Sequence, residues 1–271
     1  TIARVYDDAR DLIAGANVVA ERMRMQLMFP IDGNMGIEIK ANGVDYTYNY
    51  DPQGEWKANN YIALTGNDLW TAPATADPFK ALKLAKDKVQ EQTGTTVAYA
   101  VMNSFTFNLM GGADAVKNRW LTTTGRSMGY LTDAEIKQVI SGTSNIAPVI
   151  YDKQYRDENG DAHKYVPDGY VALIPAGDLG KTVYGTTPEE ADLMGSNEAD
   201  VSIVNTGVAL TRIVQPHPVN IDLFASEIVL PSFEELKTNK RRYAESFKLQ
   251  YGNCDPFTAK RLAEPYGKEF V

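Results

Sequence analysis

The sequence predicts an α+β fold, on three observations. Helical periodicity governs residues 2–29 and the middle of the chain, strand alternation flanks that middle on both sides, and strand and helix do not alternate regularly as a parallel sheet would require. No internal repeat or low-complexity tract interrupts the pattern.

The first element is the longest. Ile2, Val5, Ala9, Leu12, Ala16, Val19, Met23 and Leu27 recur in steps of three and four, which marks one face of a helix. Arg4, Asp7, Asp8, Arg10, Asp11, Glu21, Arg22 and Arg24 take the other face. At ~1.5 Å per residue such a helix is a rod of roughly 40 Å, long enough to act as a strut. Gly15 predicts a bend or a close approach by another backbone, and Pro30 with Asp32-Gly33 predicts the end of the helix.

Residues 37–39 and 44–50 then alternate around Asn42-Gly43, the two-residue turn of a long hairpin. Tyr46, Tyr48 and Tyr50 line one face of it, as a packing surface or a subunit contact. Residues 51–76 contain Pro52, Gly54, Gly66 and Pro73 and read as a loop anchored by Trp56 and Trp70, a crossing between domains.

Asp77-Pro78 is a cap followed by a first-turn proline, and Phe79, Leu82, Ala85 and Val89 continue at helical spacing until Gly94. Residues 95–102 suit a buried strand, Asn103 caps a short helix through Leu109, and residues 114–120 form another helix. Thr132 and Glu135 make a capping box for a helix carrying Ile136, Val139 and Ile140. From Ala147 the pattern turns to β: Val149-Ile150-Tyr151, a polar turn at 157–161, Tyr165-Val166, residues 171–174, Val201-Ile203, Val208-Leu210, Ile213, and 219–230, where Pro231 is expected to halt the strand.

The chain has 271 residues, 44% of them hydrophobic, which is ample for a core, and a net charge of −8. With a pI near 4.9 it lacks the basic surface that grips phosphate backbones. Charge is uneven: residues 236–271 hold eight Lys/Arg against four Asp/Glu, a balance of +4, which leaves −12 for the rest. The single cysteine, Cys254, excludes an intrachain disulfide and a thiolate-rich zinc site. No apolar run is long enough to span a bilayer, so no membrane partner is expected.

Three motifs promise chemistry, and each lacks its context. Gly125-Arg126-Ser127-Met128-Gly129 matches a nucleophile elbow, but residues before it read as helix and a Thr-rich loop where a buried strand is needed. Its only base in suitable order, His217, lies between Pro216 and Pro218. The run 177–182 resembles a phosphate loop, yet Lys181 leads into extended chain and offers no helix N-terminus. Asp157, Glu158 and Asp161 lack the ligand spacing and closing glutamate of a calcium loop. No catalytic, cofactor or metal-binding constellation is left, and the chain reads as a building block more than a catalyst.

An ordered series in the later β region resembles a family. Val149-Ile150-Tyr151-Asp152, Tyr155, Asn159-Gly160, Tyr165-Val166-Pro167, Val171-Ala172-Leu173-Ile174-Pro175, Leu179-Gly180 and Tyr184-Gly185-Thr186-Thr187-Pro188-Glu189 are similar to tailed-phage and prophage major capsid proteins related to lambda protein E. So are Pro218-Val219 and the run from Glu227 to Phe233, with Glu21-Arg22 in the first helix and Ala76-Asp77-Pro78 adding to the match over roughly residues 1–233.

The resemblance implies the tailed-phage major capsid fold: a peripheral domain of spine helix, hairpin and return strands from residues 1–75 and 206–235, an inserted axial domain at 76–205, and a basic extension, 236–271, without a family counterpart. It implies a structural protein of the virion, made in the bacterial host cytoplasm, that self-assembles into pentamers and hexamers of an icosahedral head. Scaffold, decoration and portal proteins are the implied partners, packaged DNA is touched only non-specifically, and no cofactor is needed. Subunit-interface candidates are Arg22, Arg24, Tyr46, Tyr48, Tyr50, Arg241 and Arg242. Because the family carries an arm and an extended loop before the spine helix, and Thr1 stands here instead, a shortened amino terminus is expected. The alternatives from other classes are a serine hydrolase using Ser127 and His217, and a two-domain ligand-binding protein with its pocket between domains.

Overall fold

The computed structural model describes residues 2–41, 44–125, 130–157, 160–196, 199–204, 207–217 and 219–232. The Asn42-Gly43 turn, Ser127, Cys254, Arg241, Arg242 and the rest of the basic extension lie outside the described residues.

The chain is α+β. Helix α1 (Ile2–Met28) is the predicted strut. Past it, Asp32 and Gly33 take φ of 50° and 73° and turn the chain. Gly33 is required there, because a Cβ would stand 2.7 Å from Cγ of Tyr61. Strands β1 (Gly36–Ala41) and β2 (Val44–Asn49) pair antiparallel, with Ile37 opposite Tyr48 and Ile39 opposite Tyr46. Residues 51–76 are not all loop: Glu55–Asn60 form a short helix, α2, after Gly54 at φ 70°. Six residues without an apolar stripe leave no periodic signal in the sequence.

The middle of the chain follows its local signals closely. In α3 (Pro78–Thr93) the Asp77 carboxylate accepts from the N–H groups of Phe79 and Lys80, and Gly94 closes the helix at φ 69°. Strand β3 (Val97–Met102) leads to Asn103, which caps α4 (Ser104–Gly112); α5 (Asp114–Thr124) and α6 (Asp133–Ser144) follow, the last with the Thr132/Glu135 capping box in place. β3 then pairs parallel with β4 (Ala147–Ile150). A small hairpin, β5 (Gln154–Arg156) and β6 (Ala162–Lys164), precedes β7 (Ala172–Pro175), which closes the sheet β4-β3-β7. Tyr165 and Val166, expected as strand, form a buried bend between β6 and β7.

Strands β8 (Lys181–Gly185), β9 (Asp200–Val204), β10 (Val208–Pro216) and β11 (Val219–Ser232) form an antiparallel sheet in the order β8-β11-β10-β9. Fourteen-residue β11 pairs with β10 from Val219 to Glu227 and with β8 from Ile228 to Ser232. Pro231 does not halt β11 but lies inside it, opposite Thr182. There β11 pairs with β8 and no longer with β10, and the Tyr50 hydroxyl, 181 residues away in sequence, donates to the Pro231 carbonyl at 2.6 Å.

Three buried clusters hold these elements. One packs α3, β3, α4, α5 and α6 around Met102, Phe107, Met110, Val116 and Ile140, with Trp70 against it. A second joins Met23 and Leu27 of α1 to Met35 and Ile37, with Trp56 and Val229 against it. The third joins the first two bodies, setting Phe29 after α1 against Val101, Val166 and Ala172. Gly15 differs from expectation. α1 passes through it unbroken, and no atom lies within 4 Å of where its Cβ would be. It lines an open groove in which Asp8, Asp11 and Leu12 face Ile221–Phe224 of β11, so no backbone approaches it.

Candidate functional site

The last two turns of α1 carry long-range side-chain contacts to three other parts of the chain. Lys153 Nζ donates to both Glu21 carboxylate oxygens, at 3.1 and 2.9 Å, and the Tyr151 hydroxyl donates to the same carboxylate. Burial alone would raise the Glu21 carboxyl, but the bonds from Tyr151 and Lys153 outweigh it and hold the group below the ordinary carboxylate value. The converse appears in the phenols: burial, then Glu21, pushes Tyr151 up strongly and Tyr165 up to about 12.

One residue on, the Arg22 guanidinium lies 5.2 Å from the centroid of Tyr155, and its Nε is buried without a hydrogen-bond partner. Arg24 reaches the other way, donating to the Thr182 hydroxyl at 3.4 Å; burial holds the nearby Glu227 carboxyl above its ordinary value, and the Arg24 charge offsets part of that rise. Gln26 meets β1 through both ends of its amide: Nε2 donates to the Glu38 carbonyl at 3.0 Å, and Oε1 accepts from the Glu38 N–H at 3.1 Å. Successive faces of α1 thus grip the β4–β7 region, the β8/β11 sheet and the β1–β2 hairpin.

Of the predicted interface residues, Arg22, Arg24 and Tyr50 make contacts within the chain. Tyr50 also meets Tyr48 edge-on, at 4.8 Å and 73°. Tyr48 remains 37% exposed. Its partner across the strand, Ile37, is buried, so the tyrosine face is partly the packing face. Tyr46 shares that register, opposite Ile39.

Sequence reasoning missed an exposed apolar strip on the four-stranded sheet. Val183 lies opposite Leu230 and Gly185 opposite Ile228; Phe224 follows in β11 only past Ser226, whose hydroxyl donates to the Glu189 carboxylate at 2.9 Å. Val183, Phe224 and Ile228 are each about half exposed, and Leu230 is 41% exposed. Val229, between them, points the opposite way into the cluster beneath α1. Alternation in 219–230 signals such a two-faced strand but does not say which face the helix covers.

The chemical motifs resolve as their contexts foretold. Gly125 ends α5 at φ 68°, so the described residues before Ser127 are helix and supply no strand for an elbow. His217 is exposed at the β10–β11 turn. Lys181 begins β8, not a helix. Asp157 closes the β5–β6 hairpin, accepting from the Asp161 N–H at 2.8 Å and meeting His163 Nε2 at 3.1 Å. Among the described residues no group of three or more His, Cys, Asp or Glu could hold a metal ion, and no helix is long and apolar enough to cross a membrane.

The sequence profile of the family described as phage major capsid protein E matches residues 3–235. The chain belongs to this family. The family is one of structural, non-enzymatic shell proteins, and nothing in its match supports the hydrolase alternative for this chain. The fold of this capsid protein is similar to that of a crystal structure assigned to a prophage capsid protein of Escherichia coli CFT073, with 15% identity and a TM-score of 0.57 over 83% of this chain. This capsid protein spans 62% of the length of that chain. A phage-related protein from Bordetella bronchiseptica RB50 aligns at 14% identity and a TM-score of 0.46, over 86% of this chain and 63% of its own. A stretch of 50 residues is also 40% identical to a UPF0313 protein of Clostridium perfringens, covering 18% of this chain and 8% of that protein. A stretch of 44 residues is 43% identical to one from Clostridium botulinum, covering 16% and 7%.

Proposed function

We propose that this capsid protein self-assembles into the pentamers and hexamers of an icosahedral phage or prophage head enclosing DNA. The family match over residues 3–235 carries the reading. The apolar patch of Val183, Ile228 and Leu230 supports it, because large apolar side chains left exposed side by side on a sheet face mark a surface for another protein. Residues 1–75 and 206–235 would form the peripheral domain and 76–205 the inserted axial domain, whose β8 and β9 complete the sheet of β10 and β11 in the peripheral domain. Two observations support that division: separate buried clusters lie on either side of residues 51–76, and that crossing places Trp56 against one and Trp70 against the other.

In this reading Tyr48 and the strip contact neighbouring subunits, while Arg22, Arg24 and Tyr50 act within the subunit to hold its domains. Arg241 and Arg242 belong to the basic extension that would meet the acidic body of a neighbour. The subunit is made in the host cytoplasm and meets scaffold, decoration and portal proteins there. A net charge of −8 suits a wall that holds packaged DNA loosely and non-specifically.

The test is sedimentation velocity over a range of concentrations, with the wild type beside Ile228→Asp/Leu230→Lys. The wild type is expected to form species larger than monomer, and the variant, with unchanged circular dichroism, to remain monomeric. Association of the variant equal to that of the wild type would remove the strip from the interface, and a wild type that stays monomeric throughout would contradict the assembly reading.

A further inference from the structure

The β5–β6 hairpin stands against the spine helix without entering any of the three buried clusters. Its strand side chains are exposed except Tyr155, which is half-buried, and the chain becomes buried again only at Tyr165 and Val166. Its internal closure is its own. The Asp157 N–H donates to the Asp161 carbonyl at 3.0 Å, Arg156 donates to the Gly160 carbonyl at 3.1 Å, and His163 stacks on Tyr155 at 5.4 Å and 26°.

What ties the hairpin to α1 is polar and aromatic. Lys153, at its base, bridges to both oxygens of Glu21, and Arg22 lies over Tyr155. The Lys153 end of the ion pair is 64% exposed, whereas the Glu21 side chain is 20% exposed. A pair open to water at one end contributes little net stability. At its other end Lys164 donates to both Asp168 oxygens, at 2.7 and 2.9 Å, in a pair half open to water, and lies over Phe105, while Tyr155 meets Tyr165 at 5.0 Å. A unit that closes on itself and meets the rest through exposed ion pairs and ring contacts opens at low cost, without disturbing the cores.

We propose that the β5–β6 hairpin is a docked arm with two positions, held on the spine helix by Glu21 and Arg22 and released as a unit about Tyr151–Lys153 and Lys164–Tyr165. The charged groups facing Glu21 are Lys153 and, on its own helix, Arg24, with the hydroxyls of Tyr151 and Tyr165 beside them. Tyr151 and Val166 stay anchored in the cluster around Phe29, so the arm pivots on fixed ends. The inference goes beyond the assembly reading and does not depend on it, because it concerns a single subunit.

Hydrogen–deuterium exchange on the full chain tests it, comparing the wild type with Glu21→Gln/Arg22→Gln at matched pH. Once undocked, a two-stranded hairpin is only marginally stable by itself, so amides of Gln154–Arg156 and Ala162–Lys164 are expected to exchange on the order of fivefold to tenfold faster in the variant, while β3, α4 and α6 keep wild-type rates. In the wild type the same amides should speed up in high salt, which screens the exposed end of the ion pair. Lys153→Met/Tyr155→Leu, altered on the arm itself, must reproduce the local effect. This second variant decides the matter if changes on α1 loosen the whole fold. Unchanged exchange in the hairpin of either variant, or acceleration shared equally by the core helices in Lys153→Met/Tyr155→Leu, would overturn the proposal.

Discussion

Tyr50 and Pro231 are joined by a 2.6 Å hydrogen bond that ties the end of the first hairpin to the last strand, 181 residues later. The bond closes the region around α1, because β1 packs on one flank of the helix and β11 on another. It also gives the Pro231 carbonyl a side-chain donor within the strand.

Removing that hydroxyl has a predictable effect. Tyr50→Phe keeps the ring against Tyr48 and the buried cluster but leaves the Pro231 carbonyl without its donor, a loss of about 0.5–1.5 kcal/mol. Urea unfolding should show a lower midpoint with an unchanged slope.

Gly111 of α4 lies against Ile136 of α6. A Cβ placed there would press on Ile136, with Cγ1 at 3.0 Å and Cδ1 closer, and Ile136 is itself buried. Gly111→Ala is therefore expected to destabilise by about 1–3 kcal/mol through overpacking. Adding Ile136→Val should recover part of the loss in a double-mutant cycle. Next door, Gly112→Ala meets nothing within 4 Å, and its effect should stay within about 1 kcal/mol.

The acid limb of stability should carry the signature of Glu21. Its carboxyl is held below the ordinary value of 4.5 in the folded state, so its contribution is complete above that value and is lost as pH falls through the lower, folded-state value. Urea midpoints measured from about pH 6 to pH 3 should fall more steeply for the wild type than for Glu21→Gln, whose side chain does not titrate. Parallel curves would show that Glu21 has no linkage to folding.

Much of the fold was legible because its signals are local. The Thr132/Glu135 box, the Asp77-Pro78 cap and the apolar steps from Ile2 to Leu27 each determine their element within a few residues, and each element is where those residues place it. The α+β class followed from the same run of patterns, whereas the family came from the resemblance carried by the ordered series of residues 149–189 and 218–233. What stayed hidden depends on distant partners. Nothing near Pro231 announces Tyr50, nothing near Glu21 announces Tyr151 and Lys153 some 130 residues away, and nothing near Gly15 says that β11 stands off from the helix there. The apolar strip was half visible: alternation shows that β11 has two faces, and only packing shows which one α1 leaves uncovered.

Electron microscopy of the purified chain at rising protein concentration tests the central claim most directly. A shell subunit of this family is predicted to form rings of five- and six-fold symmetry or curved sheets built from them. A population of single 29.9 kDa particles at every concentration, with no ring or sheet, would contradict the account.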